Sequence, residues 1–353
     1  MLPVSRSPHE GQEPALRANI ESALKKRGPY EAGSAPLSFA HADLAFVDFR
    51  GMDLRGLDFS WCYLEYADFT DADVRGVNFE AAIVAHAIFK NTQANGANFK
   101  KANMGAALLQ NSCFDDCNMD GVILGRAKIN GSRFHNAQFT PSPSTFLDTE
   151  FERVDFKNAY MPKQTFLERN LKGCVFTGTH LAESFFVKSC LDGADFRGSD
   201  VTSVNFVELS AQRADFSEAS MHNVRFVSGC KLVEAVFQSA LITGANLREC
   251  DLRRARFERA RLDGSDCSGS QFQEASLARA SAIQTQFNKA DLTQVYAQHT
   301  NLLGASFMSA TLVGTKFNDA NLYSANFLYS TLGNTDFTGA TLDQTILKDW
   351  RPA

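Results

Sequence analysis

No run of about 18 consecutive apolar residues occurs anywhere in this 353-residue chain, so nothing in it reads as a membrane-spanning helix. The opening MLPVSRSPHEGQEP carries no apolar core, which argues against a classical secretory leader. Eight cysteines are too few for a disulfide scaffold and suit a reducing cytosol. Basic residues are outnumbered, 35 Lys+Arg against 40 Asp+Glu, so the net charge of −5 offers no polycationic surface for direct nucleic-acid binding. The seven histidines (9, 41, 86, 135, 180, 222 and 299) form no spaced ligand set and pair with no obvious nucleophile. Glycines do not gather in a phosphate-binding loop. With no catalytic, cofactor or metal residue to name, the expectation is a non-enzymatic protein without a cofactor. Tryptophan (2) and tyrosine (7) are scarce, yet phenylalanine reaches 30. Phenylalanine suits a dry interior that offers no partner to a hydroxyl or an indole N–H.

What is there is a repeat. From Phe39 to Phe139 a large apolar residue returns every five positions, as in Phe39, Leu44, Phe49, Leu54 and Phe59, with a weak member at Ala94. The register slips by two residues through TPSPST, and a second run goes from Phe146 to Phe226, weak at Ala211. A one-residue slip near Gly229 opens a third run, from Leu232 to Leu347, weak at Cys267, Ala282 and Ala297. Together these make 62 units, and 28 of the 30 phenylalanines sit at their centres; only Phe46 and Phe185 do not. Two positions before the centre the residue is small in 56 of 62 units. The residue just before the centre is often Asp or Asn, and glycine is frequent two after it. A period of five fits neither 3.6 nor 2. It requires a large and a small side chain pointing inward per unit, with a turn between units. Four such sides close a square of about 20 residues, stacked at about 4.8 Å per coil. Sixty-two units then give about 15 coils and a rod of roughly 70–75 Å.

The A(D/N)LXX-type units, seen best in ANLYSANFLYSTLGNTDFTGATL between Ala320 and Leu342, resemble the pentapeptide repeat family. The resemblance implies an all-β fold, a right-handed quadrilateral parallel β-helix, over residues 37–347 as a single block. It is specific for fold and weakly so for function, because the repeat is a scaffold. The expected organisation is a mobile tail at 1–13, a capping helix at 14–28, the β-helix with register breaks near 140–145 and 227–231, and a short tail at 348–353. In the cap, Pro14 stands at an early helical position and Gly28-Pro29 stops the helix. Leu16, Ile20 and Leu24 make one apolar stripe, laid over the first coil. At the far end Trp350 is expected to fold over the last coil.

Candidate sites follow from outward positions. The position after each centre faces solvent and is usually polar, yet Leu147, Leu167, Val187, Val207 and Val227 occupy it at twenty-residue spacing. Stacked on one side of the square, they would form an apolar ladder of the kind that marks a partner or self-association surface; the alternative is β-branched residues tolerated because they fit a sheet. A second patch pairs Leu303 with Tyr323 and Met308 with Leu328 one coil apart, near Tyr329, as an end-proximal dimer contact. A third is aromatic: Trp61, Tyr63 and Tyr66, either a binding spot or a surface covered by the N-terminal helix or tail. Cys113 and Cys117 read as one outward and one inward residue, not as metal ligands. Gln164 and Arg169 hold normally small inward positions and mark either a bulge or a polar pocket.

Charge is segregated, with a net of −6 over residues 41–80 and +3 over 248–262. The reading that follows is a bacterial, cytoplasmic scaffold or adaptor that binds protein partners, with homo-oligomerisation through its side or C-terminal end as a further outcome. Its long build resembles secretion-associated members of the family. The alternatives are a DNA-mimicking binder of DNA gyrase or another topoisomerase, of the quinolone-resistance kind, and an effector exported by a dedicated secretion machine. Against mimicry, the acid ladders are short: Asp48 and Asp68 are followed by Ile88, Asp53 and Asp73 by Gln93.

Overall fold

The backbone at the second residue after each centre turns left-handed. This holds at Gly51 and Gly56, and equally at Trp61, Tyr66 and Asp71, with φ between 59° and 67°. One such residue in five bends the chain by a corner, and four corners close a coil. In the computed structural model, which describes residues 12–31, 33, 35–140 and 146–349, contacts divide the chain into two compact units, Met1–Met161 and Pro162–Ala353. Each is a right-handed quadrilateral coil of parallel bridges. The tail at 1–11, the slip at 141–145 and Trp350 lie outside the described residues.

In the first unit each residue before a centre bridges its counterpart twenty later, as Asp48↔Asp68 and Asn78↔Asn98. The backbone bonds repeat with the coil. The Phe49 N–H donates to the Asp68 carbonyl at 2.8 Å, and Asp68 N–H to the Val47 carbonyl at 3.0 Å. Gly51 N–H donates to the Thr70 carbonyl at 3.0 Å, and Met52 N–H closes the turn on the Phe49 carbonyl at 3.1 Å. Four N–H groups per unit are thereby satisfied, which an interior this dry requires. The pre-centre Asp or Asn braces the next turn: Asp48 Oδ1 accepts from Arg50 N–H at 2.9 Å, and Asn98 Oδ1 from Lys100 N–H at 3.1 Å. After the slip the spacing becomes 22, as in Lys128↔Glu150 and Gln138↔Tyr160.

The core of the first unit is a phenylalanine stack. Phe49, Phe69 and Phe89 lie ring on ring at 4.8 and 4.7 Å, while Phe79 meets Phe69 edge-on at 5.7 Å. Helix α1 (Glu13–Arg27) closes the open end. Ile20 is buried, and Leu16 and Leu24 are half-buried beside it. In the first coil the outward carbonyls of Asp48 and Arg55 have no preceding coil to bond. Arg17 donates to the first at 2.8 Å and Arg27 to the second at 2.8 Å, so the helix supplies the donors the missing coil would have given. Gly56 is required here by close contact: a Cβ would stand 2.3 Å from the Tyr30 ring.

The second unit repeats the plan. Four units have a long enough side to form true strands: β1 (Thr165–Leu167), β2 (Phe185–Val187), β3 (Asn205–Val207) and β4 (Arg225–Val227). They form one parallel sheet in the order β1-β2-β3-β4, with Phe166, Phe186, Phe206 and Phe226 in register and stacked at 4.6 to 5.2 Å. Beyond β4 the spacing rises to 21, as in Ser210↔Lys231 and Arg225↔Asn246, then returns to 20. Among the described residues no helix covers the last coil, where Leu332 and Ile346 stand exposed.

Phe186 is fully buried and touches Phe166, Phe206 and, edge-on, Phe196. Phe186→Ala is expected to cost about 3–5 kcal/mol, measured by chemical denaturation; a loss under about 1 kcal/mol would contradict this packing.

Candidate functional site

Leu167, Val187, Val207 and Val227 lie side by side in strict register on the outer face of β1–β4. A branched residue after the centre in every case (TFL, FFV, NFV, RFV) favours extended backbone where other units turn at once. Leu167 is 46% exposed and the three valines are half-buried by one another. On the same face the column before the centre reads Thr165, Phe185, Asn205 and Arg225. Phe185 is 45% exposed, one of the two phenylalanines the repeat leaves outside its centres. Beside it runs an open groove of about 590 Å³, lined by Glu183, Ser203, Asn223, Gly244, Phe185, Asn205, Arg225 and Asn246. Charges border the face. Lys163 Nζ lies 3.4 Å from Glu183 on one edge, and Lys188 Nζ 3.9 Å from Glu208 on the other.

Leu147 belongs to the first unit. It is 57% exposed in a turn, and its carbonyl accepts from Arg126 N–H at 2.7 Å. The sheet face of the second unit therefore carries four members of the ladder. Gln164 is buried inside, its amide Nε2 donating to the Pro162 carbonyl at 3.1 Å and its backbone N–H to Ser184 Oγ at 3.0 Å. Arg169 is half-buried and donates from Nε to the Leu167 carbonyl at 2.5 Å.

The other patches are distributed differently. Leu303, Met308, Tyr323 and Leu328 are all exposed, 37 to 42%, and backbone bonds from Gly304 to Tyr323 and from Ser309 to Leu328 set the two coils in register. Tyr329 beside them is 78% exposed. In the first unit Trp61 stacks on His41 at 6.1 Å and remains 56% exposed, as does Tyr63 at 54%. Tyr66 is instead held between Phe46 at 5.0 Å and His86 at 4.8 Å. Phe46, the other phenylalanine outside the centres, thus begins a ring stack up one corner.

Two electrostatic arrangements were hidden in the sequence. The first is a clasp in which Asp before a centre is gripped by Arg after it. Arg50 holds Asp48 at 2.8 Å, Arg55 holds Asp53 at 2.7 Å, Arg75 holds Asp73 at 2.6 Å, and Arg253 holds Asp251 at 2.7 Å. These bonds hold the Asp48, Asp53 and Asp251 carboxyls below the usual range. The second is a cluster in the first unit. Arg133 donates to Asp115 at 2.8 Å and to Cys113 Sγ at 2.9 Å, Asn95 donates to Cys113 Sγ at 3.0 Å, and His135 Nε2 meets Asp155 at 2.7 Å. Cys113, which the repeat register points outward, is buried beneath these partners. Among the described residues no group of three His, Cys, Asp or Glu could hold a metal ion. Burial pushes the Cys62 thiol up to about 11 and those of Cys117, Cys250 and Cys267 higher still, as expected of small apolar fillers. No helix is long and apolar enough to cross a membrane, among the described residues.

A family model described as pentapeptide repeats matches residues 42–126 and 168–349 in overlapping segments, and a second of the same description matches 114–159. No curated protein matches the chain. Among solved structures it is similar to a pentapeptide repeat protein, Rfr23, from the cyanobacterium Cyanothece, at 28% identity and TM-score 0.25, covering 26% of this chain and 63% of that one. It is similar to QnrB1, a plasmid-mediated fluoroquinolone resistance protein, at 21% identity and TM-score 0.40, covering 69% of this chain and 92% of that one. It is also similar to HetL, a pentapeptide repeat protein involved in heterocyst differentiation regulation in the cyanobacterium Nostoc, at 21% identity and TM-score 0.24, covering 72% and 94%.

Because the clasped carboxyls titrate below their unfolded value near 4, their contribution is complete above that pH and is lost as pH falls through the folded values. The midpoint of thermal unfolding is expected to hold between pH 5 and 7 and to fall below about pH 4. Asp48→Asn/Asp251→Asn should flatten the acid limb; an unchanged limb would show that the clasps contribute nothing.

Proposed function

The chain belongs to the pentapeptide repeat family, and from that premise we propose that it is a non-enzymatic interaction scaffold whose working surface is the outer face of β1–β4. The observation that carries this reading is the outward apolar column Leu167, Val187, Val207 and Val227 beside the exposed Phe185, on the one regular sheet among the described residues. Fully burying a Val, Leu or Phe side chain is worth about 1.5–3 kcal/mol, so covering Leu167, Phe185 and the remaining surface of the three valines contributes enough for docking. The scaffold is already ordered, so little entropy is lost on binding. A groove with polar lining runs beside the apolar column and can fix a partner's register.

Gyrase binding through DNA mimicry draws less support. It needs rows of free carboxylates, and in residues 41–80 Asp48, Asp53 and Asp73 are each gripped by an arginine two residues on. Asp58 accepts from Ser38 at 2.9 Å and from Asn78 at 3.0 Å. The basic stretch 248–262 is matched likewise: Arg248 meets Asp266, Arg253 Asp251, and Arg254 Glu234, at 2.7 to 3.1 Å.

Affinity capture from the native host, comparing the unaltered chain with Val187→Asp/Val207→Asp, tests the proposal. Both positions face out of the sheet, so far-UV circular dichroism and the unfolding midpoint should stay within a few degrees. The captured set should shrink to background. Capture of the same set by both proteins would remove this face as the working surface, and inhibition of gyrase supercoiling by the pure protein would favour mimicry.

A further inference from the structure

We propose that the protein docked on the β1–β4 face is a second copy of this chain, related by a two-fold axis parallel to the direction in which the coils stack. This rests on the reading of that face as a docking surface and names its occupant.

The argument is charge complementarity across the two edges. The corner before the strands presents Lys163, Glu183, Ser203 and Asn223; the corner after them presents Glu168, Lys188, Glu208 and Ser228. The first two coils thus carry opposite charges at their two edges: Lys163 with Glu168, and Glu183 with Lys188. A rotation of 180° about the stacking direction keeps each coil at its own height and exchanges left for right. Lys163 then faces the partner's Glu168, and Glu183 the partner's Lys188, each twice by symmetry. No like charges meet: Glu208 comes opposite the partner's Ser203, and Asn223 opposite the partner's Ser228. In the middle, the column holding Phe185 comes to lie on the column holding Val187, so the exposed ring of each copy covers the half-buried Val187 of the other. A two-fold axis along the strands fits less well. It would set Lys188 on the partner's Glu208 but leave Lys163, Glu168 and Glu183 opposite uncharged side chains.

Within one copy the edge pairs Lys163–Glu183 and Lys188–Glu208 are long and more than half exposed, so they compete little with partners across an interface. Four coils at about 4.8 Å and a side of five residues, about 16 Å at full extension, give on the order of 300 Å² per copy. Two copies bury on the order of 600 Å² in total, short of the standard interface of about 1,600 Å². The dimer is therefore weak and reversible, and weakens further as salt screens the edge charges.

Sedimentation velocity of the full chain over a concentration series tests this. The unaltered protein is expected to pass from monomer to dimer. Lys188→Glu places two acids opposite at each contact, and Glu183→Lys places two bases there; each should weaken dimerisation at least tenfold. Mixed in equal amounts, the two variants should dimerise again, because in the mixed pair every contact at 183 and 188 is between opposite charges. The strand-parallel axis does not give that rescue. Both side chains are exposed, and unchanged circular dichroism would confirm folding. A protein monomeric to several hundred micromolar, variants that dimerise as well as the parent, or no rescue on mixing would each overturn the proposal. Loss of captured partners on Val187→Asp/Val207→Asp from a chain that stays monomeric would leave the docking-face reading standing without it.

Discussion

A left-handed residue at every fifth position is the constraint on which the rest of the structure depends. For an L-residue other than glycine that conformation costs roughly 1–2 kcal/mol, and the chain accepts it at bulky positions such as Trp61, Tyr66, Arg126 and Tyr329. Closing a square coil of about twenty residues lays each centre on the equivalent centre one coil away. Phe166, Phe186, Phe206 and Phe226 then stack without a gap, and from coil to coil the outward carbonyls meet N–H groups. Corner strain is offset by packing and hydrogen bonding that only the bent chain can reach. The cost also explains why glycine recurs at corners without being obligatory there.

The same constraint dictates what a surface on this protein can be. Outward residues stand in columns, each spaced by one coil, so a binding surface is a column or a pair of them. A single substitution alters one rung; a new surface needs coordinated changes at intervals of twenty. The insertions work differently. At the first, the pairing interval grows to 22, and at the second to 21, yet within each unit the inward alternation continues unbroken, since Phe134 still stacks on Phe156 and Phe216 on Phe237. What changes is the residue type assigned to each outward column, and the strands β1–β4 stop at the second insertion.

This division marks what could be read from the chain. The centres, the small inward neighbours, the twenty-residue stacking and the helix over the first coil are set by periodicity and packing, which a single sequence displays. The outward column Leu167, Val187, Val207 and Val227 was legible because it shares that period. Leu147 was attached to it by the same rule, though it lies in the first unit. Phe185 and its groove escaped, because a lone aromatic before a centre has no periodic signature and only the strand geometry turns it to solvent. The Asp–Arg clasps escaped for another reason. Their acids count toward a net charge of −6 over residues 41–80, and a sum over sequence is blind to which charges touch. Cys113 shows the limit of inward and outward as categories, since an outward thiol is buried once Arg133 and Asn95 close over it.

Why a scaffold this regular should keep one irregular face follows from its energetics. A column of uniform polar residues would be soluble and inert, and most columns here are close to that. An apolar column on an outward face adds nothing to the core and raises the risk of edge and face association. Its branched residues favour extended backbone, but the units without them fold into the same coil with a bridge in place of a strand, so the fold does not need them. A feature the fold does not require, bordered by alternating charges that would penalise a misaligned partner, is what the proposed recognition surface would need and what stability would not.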